Sequence, residues 1–277
     1  MELGIHVGTF RRSTIEESLQ AVLDHGLQYV HLSLKRPGGP ADAVDPLLAA
    51  EAARVLVETG LRAASLSGTF NMAHPDPSVR RRGLAWLGEV APLAEHFGAP
   101  IVSLCTGTRN AESMWRGHPD NASPEAWRDF TETLEEALPL AERYGVALGI
   151  EPEPANVVDG PQKARRLLDE FASPRLKIIF DPANLVGPQS LGDPWAAIDE
   201  GFDLLGPDVV LAHAKELAAD GTAGGLAPGA GVIDWRHVFD RLRQAGFDGC
   251  VVLHSLEEAD VRTAVRFLAR CMAGEGG

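Results

Sequence analysis

Short β-type runs alternate with longer amphipathic helical stretches along almost the whole chain, and this alternation limits the fold more than any other feature. Strand candidates are Gly4–Val7, Gln28–Leu34, Arg62–Ser67, Ile101–Cys105, Val146–Ile150, Lys177–Phe180, Val209–Ala212 and Cys250–Leu253. Helical periodicity fills the gaps, at about Thr14–His25, Asp45–Thr59, Ser78–Phe97, Pro124–Tyr144, Pro161–Glu170, Pro194–Leu205, Trp235–Gln244 and Glu257–Cys271. Gly26, Gly60, Gly98, Gly145 and Gly246 each follow a helix as left-handed caps do, and Ser13-Thr14 and Ser123-Pro124 read as helix starts. Eight strand-helix units are the count that closes a parallel barrel. A doubly wound sheet usually has fewer strands and a GxGxxG at the start of a helix, which is missing here. With no linker or composition break along the chain, the expectation is an α/β protein: a single-domain (β/α)8 TIM barrel over residues 1–272, with a flexible tail at 273–277.

In such a barrel the C-terminal ends of the strands share one mouth, where catalytic groups gather. Glu151, Asp181 and His213 end three consecutive strand candidates at intervals of 30 and 32 residues, close to one strand-helix unit. Each has a plainer reading on its own. Glu151 would serve in a structural salt bridge, Asp181 as a helix cap, and His213 as a hydrogen-bonded core residue. Together, two carboxylates and an imidazole at one mouth make a site for a divalent metal. His254 ends the eighth strand and is the fourth candidate ligand by the same argument. Lys215, two residues after His213, faces the same side if the strand continues, where it would hold a substrate oxygen or pair with Glu151 or Glu153.

The long irregular segments, 68–76, 106–121 and 217–233, all follow strands and so belong to the mouth. The segment after strand 4 carries Arg109, Trp115, Arg116 and His118, a set suited to covering a polar ligand: indole stacks on a sugar face and guanidinium holds an anion. The arginines would otherwise be plain surface charge. Asn71 and His74 could reach the same mouth. The turn Gly229-Ala230-Gly231 would let backbone amides approach a ligand, although GxG alone is a weak signal.

Composition narrows the partners. A formal net charge of −14, from 39 acidic and 25 basic residues, repels phosphate backbones and argues against nucleic acid. The three cysteines, Cys105, Cys250 and Cys271, lack metal or disulfide spacing, and Cys105 and Cys250 read as small core residues in a reducing compartment. The first residues enter a strand directly, without a basic and apolar leader, and no apolar run is long enough for a bilayer. A cytoplasmic protein with no membrane partner is expected.

Several stretches carry a resemblance: Gly149-Ile150-Glu151-Pro152-Glu153, Phe180-Asp181-Pro182-Ala183-Asn184, His213-Ala214-Lys215-Glu216, Gly229-Ala230-Gly231-Val232-Ile233-Asp234, and the last strand with Gly249 before it. In these the chain resembles the xylose-isomerase-like superfamily of sugar phosphate isomerases and epimerases, over essentially the whole barrel. That superfamily includes ketose epimerases, aldose–ketose isomerases, inosose isomerases and dehydratases, and apurinic endonucleases. The resemblance implies Glu151, Asp181 and His213 as metal ligands. It departs at strand 8, where the epimerases usually have a glutamate that binds metal and acts as the second acid/base, and this chain has His254. It departs again at Asn184, where many relatives place a histidine near substrate.

The resemblance implies one divalent ion, first manganese, with the nitrogen-richer set also admitting zinc, cobalt or iron, and magnesium as a further option. The implied reaction is proton abstraction next to a metal-chelated carbonyl of a ketose, inosose or related polyol ketone, through an enediolate. Glu151 and His254 would be its acid/base pair, with Glu153 and His118 in reserve. His118, Arg109, Trp115, Lys215, Asn184 and Glu153 would line the substrate site. An inosose-type dehydratase and a catalytically altered sugar-binding barrel are the alternatives. An apurinic endonuclease is disfavoured by the missing extra histidines and the acidic charge. A homodimer or larger homo-oligomer fits the resemblance, although the sequence specifies no interface.

Overall fold

The computed structural model describes residues 1–35, 43–187 and 190–275. Eight parallel strands follow one another around a closed barrel: β1 (Glu2–His6), β2 (Tyr29–Leu32), β3 (Arg62–Ser67), β4 (Ile101–Cys105), β5 (Ala147–Glu151), β6 (Leu176–Phe180), β7 (Val209–Ala214) and β8 (Cys250–Leu253). β8 closes on β1, with Leu3 opposite Val251 and Ile5 opposite Leu253. This is the single-domain TIM barrel expected from the alternation.

Nine helices occur among the described residues: α1 (Ile15–Asp24), α2 (Pro46–Thr59), α3 (Pro77–His96), α4 (Pro124–Tyr144), α5 (Pro161–Phe171), α6 (Pro182–Leu185), α7 (Pro194–Leu205), α8 (Trp235–Gln244) and α9 (Val261–Ala273). The one beyond the eight expected is α6, a single turn started by Asp181. Several starts are written in the sequence. Thr14 and Glu17 form a reciprocal capping box at α1, and Asp45 and Ser123 cap α2 and α4, each with proline next. Gly60 and Gly145 close α2 and α4 in the left-handed conformation. α9 runs through Ala273, within the segment 273–277 expected as a tail, and residues 276 and 277 lie outside the described residues.

Two hydrophobic clusters follow from the geometry. The larger one lies between the barrel wall and the helices. The smaller one, Ala64, Ile101, Ile179, Leu211, Cys250 and Val252, fills the barrel itself. Alternation along a strand carries that inward face two residues further toward the mouth: from Ile179 to Asp181, from Leu211 to His213 and Lys215, and from Val252 to His254. Gly149 shares the face with Glu151, and a Cβ there would lie 2.8 Å from Ile179 Cγ1, so the barrel is full at that level. The candidate polar site therefore sits directly on an apolar plug.

Candidate metal centre

Glu151 ends β5, Asp181 follows β6, His213 lies in β7 and His254 follows β8. One donor atom from each falls within 4.8 Å of all the others. His213 Nδ1 is 3.2 Å from Glu151 Oε1, and His254 Nε2 is 3.5 Å from Asp181 Oδ2. The two imidazoles meet edge to face, with centroids 4.6 Å apart.

Asp181 Oδ2, His213 Nδ1 and His254 Nε2 are each buried and make no hydrogen bond. A buried polar atom without a hydrogen bond costs about 1–3 kcal/mol; with only the Lys215 ammonium beside Asp181 Oδ2, the three atoms form a set that a cation would satisfy. Two oxygens and two imidazole nitrogens suit a divalent transition ion, so the residues present fit the group.

Each ligand candidate is held by a second contact. Asp181 Oδ1 accepts the Ala183 amide at 3.0 Å, which caps α6 and leaves Oδ2 toward the site. Both readings of Asp181, cap and ligand, thus describe different oxygens of one carboxylate. Asn184 Nδ2 donates to Glu151 Oε1 at 2.8 Å. Ser255, in the left-handed region at φ 58, places its Oγ 2.9 Å from His254 Nδ1, which turns Nε2 toward Asp181.

Lys215 Nζ lies 2.7 Å from Asp181 Oδ2, outside hydrogen-bonding geometry, and donates to Asn184 Oδ1 at 2.6 Å. Its ion pair is therefore with Asp181, not with Glu151 or Glu153. Glu153 instead accepts from Cys105 Sγ at 2.9 Å, so Cys105 is more than core filling.

Charge states follow from this crowding. Burial, then the Glu151 charge, pushes the Glu153 carboxyl up to about 7. Burial also raises Glu151. Burial opposes the Asp181 anion as well, but Lys215 and the imidazoles hold it well below the usual carboxylate range. Burial lowers His213 to about 4, and burial with the neighbouring His213 lowers His254. One ammonium facing three carboxylates leaves an excess of negative charge that a dication would neutralise.

The strand logic overlooked two histidines. His6, at the end of β1, stacks on His31 of β2 with centroids 4.9 Å apart, and His31 meets the edge of His213 at 6.3 Å. His31 Nδ1 is 2.7 Å from Ser65 Oγ, and His6 Nδ1 accepts the Gly8 amide at 3.1 Å. The available signal was parity: His6 shares the inward face of β1 with Gly4, whose Cβ position would meet Cys250 Sγ at 2.8 Å. Beside the metal candidates, a cavity of about 450 Å³ is lined by His6, Gly8, Arg11, Gly224, His254 and Ser255, among others.

The mouth loops hold one another more than they offer free groups. Arg109, expected at a ligand, donates to Asp129 of α4 at 2.7 Å and to the Ala73 carbonyl. His118 caps the short turn Pro119–Ala122, and Trp115 is 61% exposed. Asn71 exchanges two hydrogen bonds with the Thr108 backbone, and His74 Nδ1 takes the Asp76 amide. The amides of Gly229 and Ile233 serve the chain itself. The fully buried Glu216 carboxylate accepts from both, from the Leu217 amide and from Trp235 Nε1. A Cβ at Gly231 would lie 2.1 Å from the Leu217 carbonyl oxygen, which is the close approach that glycine serves there.

A family model described as Xylose isomerase-like TIM barrel matches residues 19–271. L-ribulose-5-phosphate 3-epimerase UlaE of Escherichia coli O1:K1 / APEC is 23% identical over 248 residues, which cover 87% of this chain and 82% of that protein. A D-tagatose 3-epimerase-like protein has a TM-score of 0.78 at 16% identity, with 99% and 97% of the two chains covered. The IOLI protein with a binding zinc atom has a TM-score of 0.76 at 14% identity, with both chains fully covered. These structural likenesses speak for the fold. No helix among the described residues is long and apolar enough to cross a membrane.

Proposed function

The chain belongs to the xylose isomerase-like TIM barrel family, and on that premise we propose that it is a divalent-metal-dependent sugar isomerase or epimerase. The substrate would be a ketose, an inosose or a related polyol ketone, and residues 1–272 would be its one catalytic domain. The observation that carries this reading is the set of buried donor atoms without hydrogen bonds on Asp181, His213 and His254, converging beside Glu151. Zinc in one structural neighbour and a sugar phosphate in the name of a curated relative support it.

Glu151, Asp181, His213 and His254 would hold the ion. When bound, it supplies Lewis-acid polarisation of a carbonyl and so acidifies the neighbouring C–H. Glu151 is the base. Asn184 fixes Oε1, while Oε2 takes no hydrogen bond from the described residues and is free to accept the proton from carbon. Burial makes that carboxylate more basic than one in water, which suits the task. His254 is the acid on the other side when Glu151, Asp181 and His213 alone hold the ion and its own Nε2 carries the proton; its side chain, 23% exposed, borders the cavity. Return of the proton to the opposite face gives epimerisation, and return to the adjacent carbon gives isomerisation. Lys215 stands ready to stabilise negative charge on a substrate oxygen.

Glu153 favours a second reading. A carboxyl with its pKa near 7 can protonate a leaving hydroxyl, which would make the protein a dehydratase. One experiment separates these: incubation of metal-loaded protein with ketoses and inososes in deuterium oxide. Isomerases and epimerases leave deuterium in a sugar of unchanged formula, and a dehydratase yields a product lighter by water. No deuterium and no product across the panel would overturn both.

A further inference from the structure

We propose that His6 is a neutral hydrogen-bond donor to a substrate oxygen, its tautomer set by the backbone of Gly8. The inference rests on the metal-dependent reading for the identity of that oxygen, a carbonyl or hydroxyl of the polyol ketone. The tautomer itself does not depend on that reading.

Three observations carry it. The Gly8 amide donates to His6 Nδ1 at 3.1 Å, so Nδ1 is the bare acceptor and the proton resides on Nε2. Nε2 has no hydrogen-bond partner among the described residues, and the side chain lines the cavity that His254 also lines. The ring is fixed in place: it stacks on His31 at 4.9 Å, and His31 is itself held by Ser65.

Gly8 is part of the device. A Cβ there would sit 3.0 Å from both Nδ1 and Cε1 of the ring, so any larger residue presses on the imidazole while its amide donates. Glycine at 8 thus permits the close approach that selects the tautomer.

The chemistry suits a neutral donor. A second cation beside a dication would be repelled, whereas an N–H dipole aimed at an oxygen gains strength as that oxygen becomes negative. His6 loses no proton in this role, so it adds no step to the acid/base cycle of Glu151 and His254.

The test uses zinc-loaded full-length protein and glycolohydroxamate, a planar two-oxygen mimic of an enediolate, with the His6→Leu, His6→Gln and Gly8→Ala variants. Zinc content should be unchanged in all of them, because His6 is not a ligand. Hydroxamate affinity should fall about ten-fold or more in His6→Leu and recover in part in His6→Gln, whose amide restores an N–H donor. Gly8→Ala should fall between them. Nitrogen-15 NMR of the metal-free wild type should show His6 protonated on Nε2 and bare on Nδ1. A proton on Nδ1, equal hydroxamate affinity in His6→Leu, or zinc lost with His6 would each overturn the proposal. A wild type that binds no zinc overturns the metal-dependent reading instead, and the NMR result then decides the tautomer alone.

Discussion

The two levels of the barrel interior use the same strands for opposite ends. At the lower level Ile101, Ile179, Leu211 and Val252 pack with Ala64 and Cys250 into a closed apolar plug. About 6.6 Å higher, one pleat repeat away, the same strands carry Asp181, His213 and His254, which have donor atoms lacking hydrogen bonds. The lower level buries apolar side chains against one another and stores stability. The upper level leaves polar atoms unsatisfied, a cost borne by the plug beneath it. Separating the two by a single side-chain alternation lets the site be strained without loosening the barrel.

The sharpest way to break this comparison is at Asp181. Asp181→Asn keeps an oxygen for the α6 cap but leaves Lys215 buried without its counter-ion, at a cost of about 3–5 kcal/mol. Urea denaturation should show that loss, and elemental mass spectrometry should show zinc absent; full zinc occupancy would remove Asp181 from the ligand set. Leu211→Ala, one alternation below His213, should cost about 2–5 kcal/mol while zinc per folded molecule stays at the wild-type value. Zinc lost in that variant would mean that the two levels are not separable. Glu216→Gln turns amide hydrogens toward the Gly229 amide and Trp235 Nε1, which already donate. It should cost about 1–3 kcal/mol and speed proteolysis within residues 217–233, with metal binding retained.

The smallest effect is on acid stability of the metal-free protein. His6 and His213 are held at about 3 and 4, and His31 and His254 also lie below the ordinary imidazole value. As pH falls from about 6.5, the unfolded chain takes protons on these four while the folded chain does not, so stability declines with falling pH. Glu151 and Glu153, raised in the fold, act in the opposite direction over part of the same range. Four groups outweigh two, so the melting temperature should drop between pH 7 and pH 5; a rise would mean that the glutamates dominate.

The barrel was legible because its signals are local: period-two runs, helix caps and the glycines that end helices. Glu151, Asp181, His213 and His254 were legible as polar residues where apolar strands stop. His6 and His31 were not, because both lie inside strand-like segments and only barrel closure brings β1 and β2 beside β7 and β8. The pairing of Lys215 with Asp181 was hidden for a related reason. Strand parity places a side chain on a face but does not say which of three nearby carboxylates it reaches. Arg109 shows the limit of loop position as a guide: the loop lies at the mouth, while its long side chain turns to Asp129 of α4.

The divided duty of Asp181 bears on how such a centre could change over generations or at a designer's hand. One oxygen starts α6 and the other faces the neighbouring cation and imidazole. A cysteine at 181 has one sulfur and no second acceptor, so it would trade the helix start for the ligand. His254 carries no comparable second task in the backbone. The sixth strand is therefore where this centre resists rewriting, and the eighth is where it gives way.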